Sequence, residues 1–459
     1  MQLLRSSGGA VIAMVLVLTG SVLLVRRSSA APELTFRDCA LPGATGPVAC
    51  ATFDVPEDRE RRGRTISLNI AVLKATGPAR KPDPIVPLQG GPGQGAVPLA
   101  DFYARTLAPL REERDIVLID VRGTGRSNPL TCNVAAPESL RSGDMLPAEA
   151  IRACRKAHES RADLRLYTTD AIARDLDDVR RAMRVERWNL YGTSYGTRLG
   201  QEYVRRFGSS VRTVTMKGIV PPSLAIPLPY ARDAQVALEA SIDARTRTQL
   251  SEVLAGLRSR PVTIAHEGRE LTISEGLFAE ALRNLLYNPA SAPAASRMIQ
   301  SAAAGDFQAA AATVLRVRTA FSGDLSLGMF LSVTCAEDIP RIDAARIDEM
   351  VRGTFLGSYR IRQQMEACRH WPAGTRLAGN ATPVISDVPA LLFSGDLDPV
   401  TPPRFGEEVV RSLPNGRHIV LKNNGHAIGQ AAPCVAAIMK PFIDRASVRG
   451  LNTACAALD

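Results

Sequence analysis

The chain has 459 residues, 45% of them hydrophobic and 22% charged, with 56 basic and 46 acidic side chains and a formal net charge of +10. Such a composition can bury a core, and it excludes a disordered, collagen-like or polytopic membrane chain; the length calls for one large domain with insertions, or two domains. The basic excess is not expected to bind nucleic acid, because arginines are interspersed with acids, as in Arg111-Glu112-Glu113-Arg114-Asp115.

Residues 10–25 are the one long apolar run, lying between Arg5 and Arg26-Arg27, with small residues following from Ser28 to Ala31. This pattern reads as a secretory signal over 1–31, or as an uncleaved N-terminal anchor, since the run falls short of the roughly 20 residues a bilayer span needs. Either way the body is expected to be exported (periplasmic, secreted or anchored). The even set of cysteines agrees with an oxidising compartment: Cys39, Cys50, Cys132, Cys154, Cys335, Cys368, Cys434 and Cys455. Spacing alone leaves their connectivity open, but they fall into four local couples: 39–50, 132–154, 335–368 and 434–455. No Cys-x-x-Cys and no His-Glu-x-x-His occurs, so neither a metal site nor a cofactor is expected.

After the leader, strands are predicted over 49–55 and 65–73, the second alternating apolar and polar residues, then over 85–88 and 116–120, each followed by a glycine-rich turn. Ile172, Leu176, Val179 and Met183 share one face of a helix over 169–184. A short strand at 188–191, a turn, a helix to about Phe207 and a strand over 211–216 complete a strand–helix rhythm that implies a parallel sheet with helical crossovers. The pattern changes at Pro221-Pro222. From about 231 to 375 the chain reads as mostly helical, and the strand–helix rhythm returns at 389–393 and 418–421 before a terminal helix. The expected organisation is an α/β core over 32–221 and 381–459, interrupted by a helical cap over 222–380.

Gly192-Thr193-Ser194-Tyr195-Gly196 is a G-x-S-x-G turn between a strand and a helix, the setting in which a serine hydroxyl is exposed on a sharp turn. A serine nucleophile needs a base and the base an orienting carboxylate, and the chain offers both in the order Ser, Asp, His. Asp398, favoured over Asp396, and His426 each lie just beyond a predicted strand. Gln89-Gly90-Gly91-Pro92-Gly93-Gln94-Gly95 supplies backbone amides for an oxyanion hole, with Gly91 the chosen donor, Gly90 an alternative, and the Tyr195 N–H its companion. Asp120 and Arg122, in Asp-Val-Arg-Gly-Thr-Gly-Arg-Ser, read as a salt-bridged turn.

Together, G-G-P-G, D-V-R-G-T-G-R-S, Y-G-T-S-Y-G-T-R-L and G-D-L-D-P-V-T-P resemble the secreted tripeptidyl and prolyl aminopeptidases, serine peptidases of the α/β-hydrolase fold with a helical cap. The resemblance runs from about Cys39 to Cys455. It implies Ser194 as nucleophile, Asp398 as acid and His426 as base, and it supports the 335–368 and 434–455 bridges. It also implies acidic cap residues for a substrate's free ammonium, a position that Glu337 fits, with Asp338 adjacent. Two departures stand out. Lys217-Gly218 and Pro221-Pro222 replace an Asp-Gly and a following Asp-Pro common in the family, and Gln94-Gly95 follows G-G-P-G. The expected activity is an aminopeptidase on short peptides with a free N-terminus. An esterase with the same triad is the first rival, and a non-catalytic, membrane-tethered binding protein the second.

Overall fold

A computed structural model of the chain describes residues 34–376, 379–427 and 432–457. The leader expected over 1–31 lies outside them. From Leu34 onward the chain forms one compact unit built on a nine-stranded sheet. In chain order the strands are β1 (Arg37–Asp38), β2 (Val48–Pro56), β3 (Thr65–Leu73), β4 (Ile85–Leu88), β5 (Ile116–Ile119), β6 (Trp188–Thr193), β7 (Val211–Lys217), the separate hairpin strands β8 (Val262–His266) and β9 (Arg269–Ile273), then β10 (Ala390–Gly395) and β11 (Gly416–Leu421).

The order across the sheet is β1-β2-β3-β5-β4-β6-β7-β10-β11. The first three strands run antiparallel to their neighbours and the other six run parallel. Ile-Val-Pro-Leu in β4 and Ile-Val-Leu-Ile in β5 are buried throughout, as strands covered on both faces must be. β2 and the start of β3 alternate instead, because one of their faces meets solvent.

The core lies on both faces of the sheet. On one, Ile172, Leu176 and Val179 pack from the helix Thr169–Ala182 with Trp188, Leu199 and Tyr203, and the same cluster runs on into the cap. On the other, Tyr103 and Leu107 meet Leu391, Phe393, Met439 and Phe442, the last two from the helix Ala432–Arg445. Thr168 starts the first of these helices by accepting from the Ala171 N–H at 3.3 Å, a serine/threonine cap of the ordinary kind.

Between β7 and β10 the chain forms the cap. It carries helices at Tyr230–Ser241, Ala244–Ser259, Glu275–Leu285, Ala292–Ala303, Gln308–Ser322, Leu327–Glu337 and Tyr359–Arg369. One part of the mostly helical segment is not helical: β8 and β9 form an antiparallel hairpin. Glu267 and Gly268, both at positive φ, make its two-residue turn. The four disulfides join Cys39–Cys50, Cys132–Cys154, Cys335–Cys368 and Cys434–Cys455. The third ties the helix Leu327–Glu337 to the helix Tyr359–Arg369.

Candidate active site

Four strand ends on one edge of the parallel sheet carry the candidate groups. β4 leads into Gln89–Gly91, β6 into Ser194, β10 into Asp398 and β11 into His426. This is the carboxyl edge, where α/β proteins assemble their sites.

Ser194 adopts φ 55° and ψ −125°, a left-handed turn between β6 and the helix Tyr195–Phe207. A non-glycine residue holds such a conformation only where its surroundings impose it. Here they do. The Ser194 N–H donates to the Lys217 carbonyl at 2.9 Å, and its own carbonyl accepts from the Thr197 N–H at 2.8 Å. Gly196 allows the turn: a Cβ there would overlap the Leu88 carbonyl, and one on Gly192 would lie 2.6 Å from the Gly196 oxygen.

His426 Nδ1 lies 2.9 Å from Asp398 Oδ2. Asp398 is in turn held through Oδ1, which accepts from the Val400 and Thr401 N–H groups at 2.8 Å each. Thr401 Oγ1 donates to Asp398 Oδ2 at 2.7 Å and sits 3.0 Å from His426 Nδ1. Burial pushes the Asp398 carboxyl up, but the charge of His426 and the hydrogen bonds from His426 and Thr401 outweigh it and hold the group below its ordinary range. Asp396, the rival acid, takes the Asn424 N–H at 3.2 Å and so braces the histidine loop from below. Tyr287, at the end of a cap helix, places its ring edge-on to the His426 imidazole with centroids 4.9 Å apart.

Ser194 and His426 line one cavity of about 540 Å³. Among the described residues no hydrogen bond joins Ser194 Oγ to His426 Nε2. Catalytic bonds of this kind are commonly long in the free protein and tighten around substrate. Gly90 and Gly91 border the same cavity; Gly90 is the one pressed on the nucleophile, since a Cβ there would lie 3.1 Å from the Ser194 Cβ. Gly90 N–H is turned toward the Gln89 Oε1, at 3.3 Å, whereas Gly91 N–H has no acceptor among the described residues. Tyr195 N–H, at the first helical position, has none within the helix.

Glu337 and Asp338, expected to meet a substrate's ammonium, stand elsewhere. Neither lines the cavity with Ser194. Glu337 accepts from the Thr169 N–H at 2.8 Å and from its hydroxyl at 2.7 Å. Burial raises its carboxyl to about 7 in spite of those bonds. Asp338 is fully buried and pairs with Arg198 at 2.9 Å and Arg341 at 3.1 Å. Both arginines sit on Asp338 Oδ1, while its Oδ2 is buried without a hydrogen-bond partner. Arg122 likewise turns from Asp120: it grips Asp175 with two bonds of 2.6 and 2.8 Å, while Asp120 accepts from Asn69, Val97 and Arg126. Both residues brace the fold. Cys132, Cys154 and His158 cluster closely, but the two sulfurs are bonded to each other and offer no thiolate to a metal.

The sequence singled out three side chains of the triad and left two contributors without a role. Thr401 stands inside the quoted Asp-Pro-Val-Thr-Pro, so its hydroxyl was in view. Tyr287 comes from the cap, and no local pattern brings it to His426.

A serine on a strained strand-to-helix turn, sharing a cavity with a histidine oriented by a buried aspartate, is the kind of arrangement that serine hydrolases of the α/β-hydrolase fold use. Comparison with known proteins agrees. Residues 83–251 match the alpha/beta hydrolase fold family, and residues 353–455 match the family described as TAP-like protein. Each match covers a part of the chain, and both are to proteins of the α/β-hydrolase kind, in keeping with the fold. It is 30% identical to the tripeptidyl aminopeptidase of Streptomyces lividans over 229 residues, covering 44% of this chain and 41% of that one. It is 29% identical to the serine protease Hip1 of Mycobacterium tuberculosis over 194 residues, covering 39% and 37%. The matched region thus spans about two-fifths of these relatives' length. Among solved structures, the proline iminopeptidase of Mycobacterium smegmatis overlaps 86% of this chain and 98% of its own, at 15% identity and a TM-score of 0.44.

Proposed function

We propose that the protein is an exported serine hydrolase that cleaves a peptide bond in short substrates through an acyl-enzyme on Ser194. The observation that carries this reading is the His426–Asp398 pair at 2.9 Å, opening on the same cavity as Ser194. In it, His426 Nε2 takes the Ser194 proton as Oγ attacks the carbonyl, and Asp398 holds the imidazole in the required tautomer and offsets the imidazolium charge. The Tyr195 and Gly91 N–H groups stabilise the oxyanion. His426 returns the proton to the departing amine, and water releases the acyl group. The relatives named as an aminopeptidase and a protease favour a peptide over an ester, and the cap over the cavity favours short chains. Four disulfides favour an oxidising compartment.

The finer aminopeptidase reading needs a carboxylate facing the substrate's ammonium. Among the described residues lining the cavity none is acidic, so the end of the chain that is recognised rests with experiment. Purified protein, with Ser194→Ala as blank, is assayed on alanyl, prolyl and tripeptidyl aminocoumarin amides, each with a free or acetylated N-terminus, and on a nitrophenyl butyrate ester. Amide cleavage abolished in the blank is the expected result. Cleavage of the ester alone replaces the peptidase reading with an esterase, and turnover equal to the blank overturns the hydrolase reading itself.

A further inference from the structure

Lys217 closes β7, hydrogen-bonded through its carbonyl to the nucleophile's own N–H. Its side chain is 7% exposed and borders the cavity that holds Ser194. Among the described residues its ammonium makes no hydrogen bond, and no carboxylate lies within ion-pair distance. That sets it apart from the other cations of the cavity. Arg283 is fully engaged, with two nitrogens on Glu280 at 2.9 and 2.8 Å and a third on the Tyr287 hydroxyl at 2.9 Å. Arg360 stands 3.9 Å from the same Glu280 and packs its guanidinium on Phe321 and Phe330.

The surroundings of Lys217 are polar in a way the fold does not use. Tyr191 and Thr215 are register partners on β6 and β7, and Lys217 is two residues beyond Thr215 on the same face. The Tyr191 and Thr215 hydroxyls are both buried without a hydrogen-bond partner. An unpaired buried hydroxyl costs free energy, and Tyr191, unlike Thr215, borders the cavity; a ligand there that supplies an acceptor and a negative charge satisfies the hydroxyl and gives the Lys217 ammonium a counterion. Arg283 and Arg360 share the single carboxylate of Glu280, Lys217 has none, and no acid is among the described lining residues, so the cavity wall carries a positive excess that favours anions.

We infer that Lys217, which shares its face of the sheet and its cavity with Tyr191, forms a subsite for a carboxylate carried by the substrate next to the scissile bond. The inference rests on the proposed hydrolase site. It makes the preferred substrates acidic acyl compounds, such as peptides with a glutamyl or aspartyl residue or a free terminal carboxylate near the cut. A neutral substrate leaves the ammonium unpaired, and a cationic one is repelled.

The test compares kcat/KM for substrate pairs that differ only in glutamate against glutamine, placed on either side of the cut, with the wild type, Lys217→Met and Lys217→Arg. The wild type is expected to favour the glutamate member of at least one pair by tenfold or more. Lys217→Met is expected to bring that ratio within twofold of unity, and Lys217→Arg to keep a preference. Equal rates in the wild type, or a preference that survives Lys217→Met, overturn the subsite. Calorimetric binding of glutarate separates this outcome from a failure of the hydrolase reading. Glutarate held by Ser194→Ala and lost in Lys217→Met supports the subsite even where no substrate is turned over. Turnover without discrimination and without glutarate binding removes the subsite and leaves the hydrolase. Lys217→Gln, of similar length and uncharged, replaces the methionine variant if that one melts early.

Discussion

Thr401 shows how much of the proposed site's behaviour depends on groups that never touch substrate. Its hydroxyl reaches both members of the acid–base pair, at 2.7 Å from Asp398 Oδ2 and 3.0 Å from His426 Nδ1. With the Val400 and Thr401 amides it fixes the carboxylate in one orientation, and the carboxylate fixes the ring. Asp398→Asn keeps the shape but favours the wrong imidazole tautomer, so kcat is expected to fall roughly 10³- to 10⁴-fold. Thr401→Val removes one donor from a carboxylate that retains two amides and the histidine. The expected loss is about tenfold in kcat, with the titration profile of the Asp398 carboxyl moved upward as it loses a bond favouring its charged form. An unchanged profile assigns the threonine to packing alone.

At the scale of the element, Gly196 makes the nucleophile turn possible, because the helix begins against the carbonyl end of β4. Gly196→Ala is expected to cost about 3 kcal/mol or more in stability and most of the activity, since backbone rather than a flexible side chain would have to yield. Denaturant unfolding checks the first expectation and the amide panel the second. The Cys335–Cys368 bridge is expected to contribute about 2–4 kcal/mol by joining two cap helices across a 33-residue separation. These elements also show what a single sequence reveals. β4, β5 and β10 were legible because strands buried on both faces read as unbroken apolar runs, and the triad because each member stands in a glycine-bearing turn just beyond a predicted strand. The β8–β9 hairpin also carries a local signal: Val-Thr-Ile-Ala-His and Arg-Glu-Leu-Thr-Ile alternate around Glu267-Gly268. Long helical stripes on either side masked it. The partners of Glu337 and Arg122 were illegible because Thr169 and Asp175 lie 168 and 53 residues away. Sequence showed that these side chains were charged and near motifs, while tertiary packing decided that they brace the fold.

The whole molecule should respond to pH through its buried acids. Glu337 is raised from 4.5 to about 7 and Asp233 from 3.8 to about 6, burial being the first cause in each. Below their unfolded pKa values both states carry these protons, and neither group opposes folding. As pH rises from about 4.5 to 7 the unfolded chain releases them first, so stability falls, with the loss complete above the folded values. Asp398 acts in the opposite sense, losing its contribution as pH drops below the ordinary carboxylate range. Melting temperature is therefore expected to decline between pH 5 and 7.5, and Glu337→Gln to flatten that decline by roughly 2–5 °C. A slope unchanged in the variant assigns the loss to other groups.

One contact links the cap to the base across the cavity: the Ala427 N–H donates to the Tyr287 carbonyl at 2.9 Å, beside the edge-on packing of Tyr287 on His426. The backbone just after the base is thus fastened to the covering layer rather than to the sheet alone. Any movement that lifts this end of the cap to admit a substrate pulls on the histidine loop and loosens its grip on the proton path. The cap and the loop of the proposed base are thereby one mechanical piece, so a substitution that displaces Tyr287 is felt at His426 through backbone as well as ring.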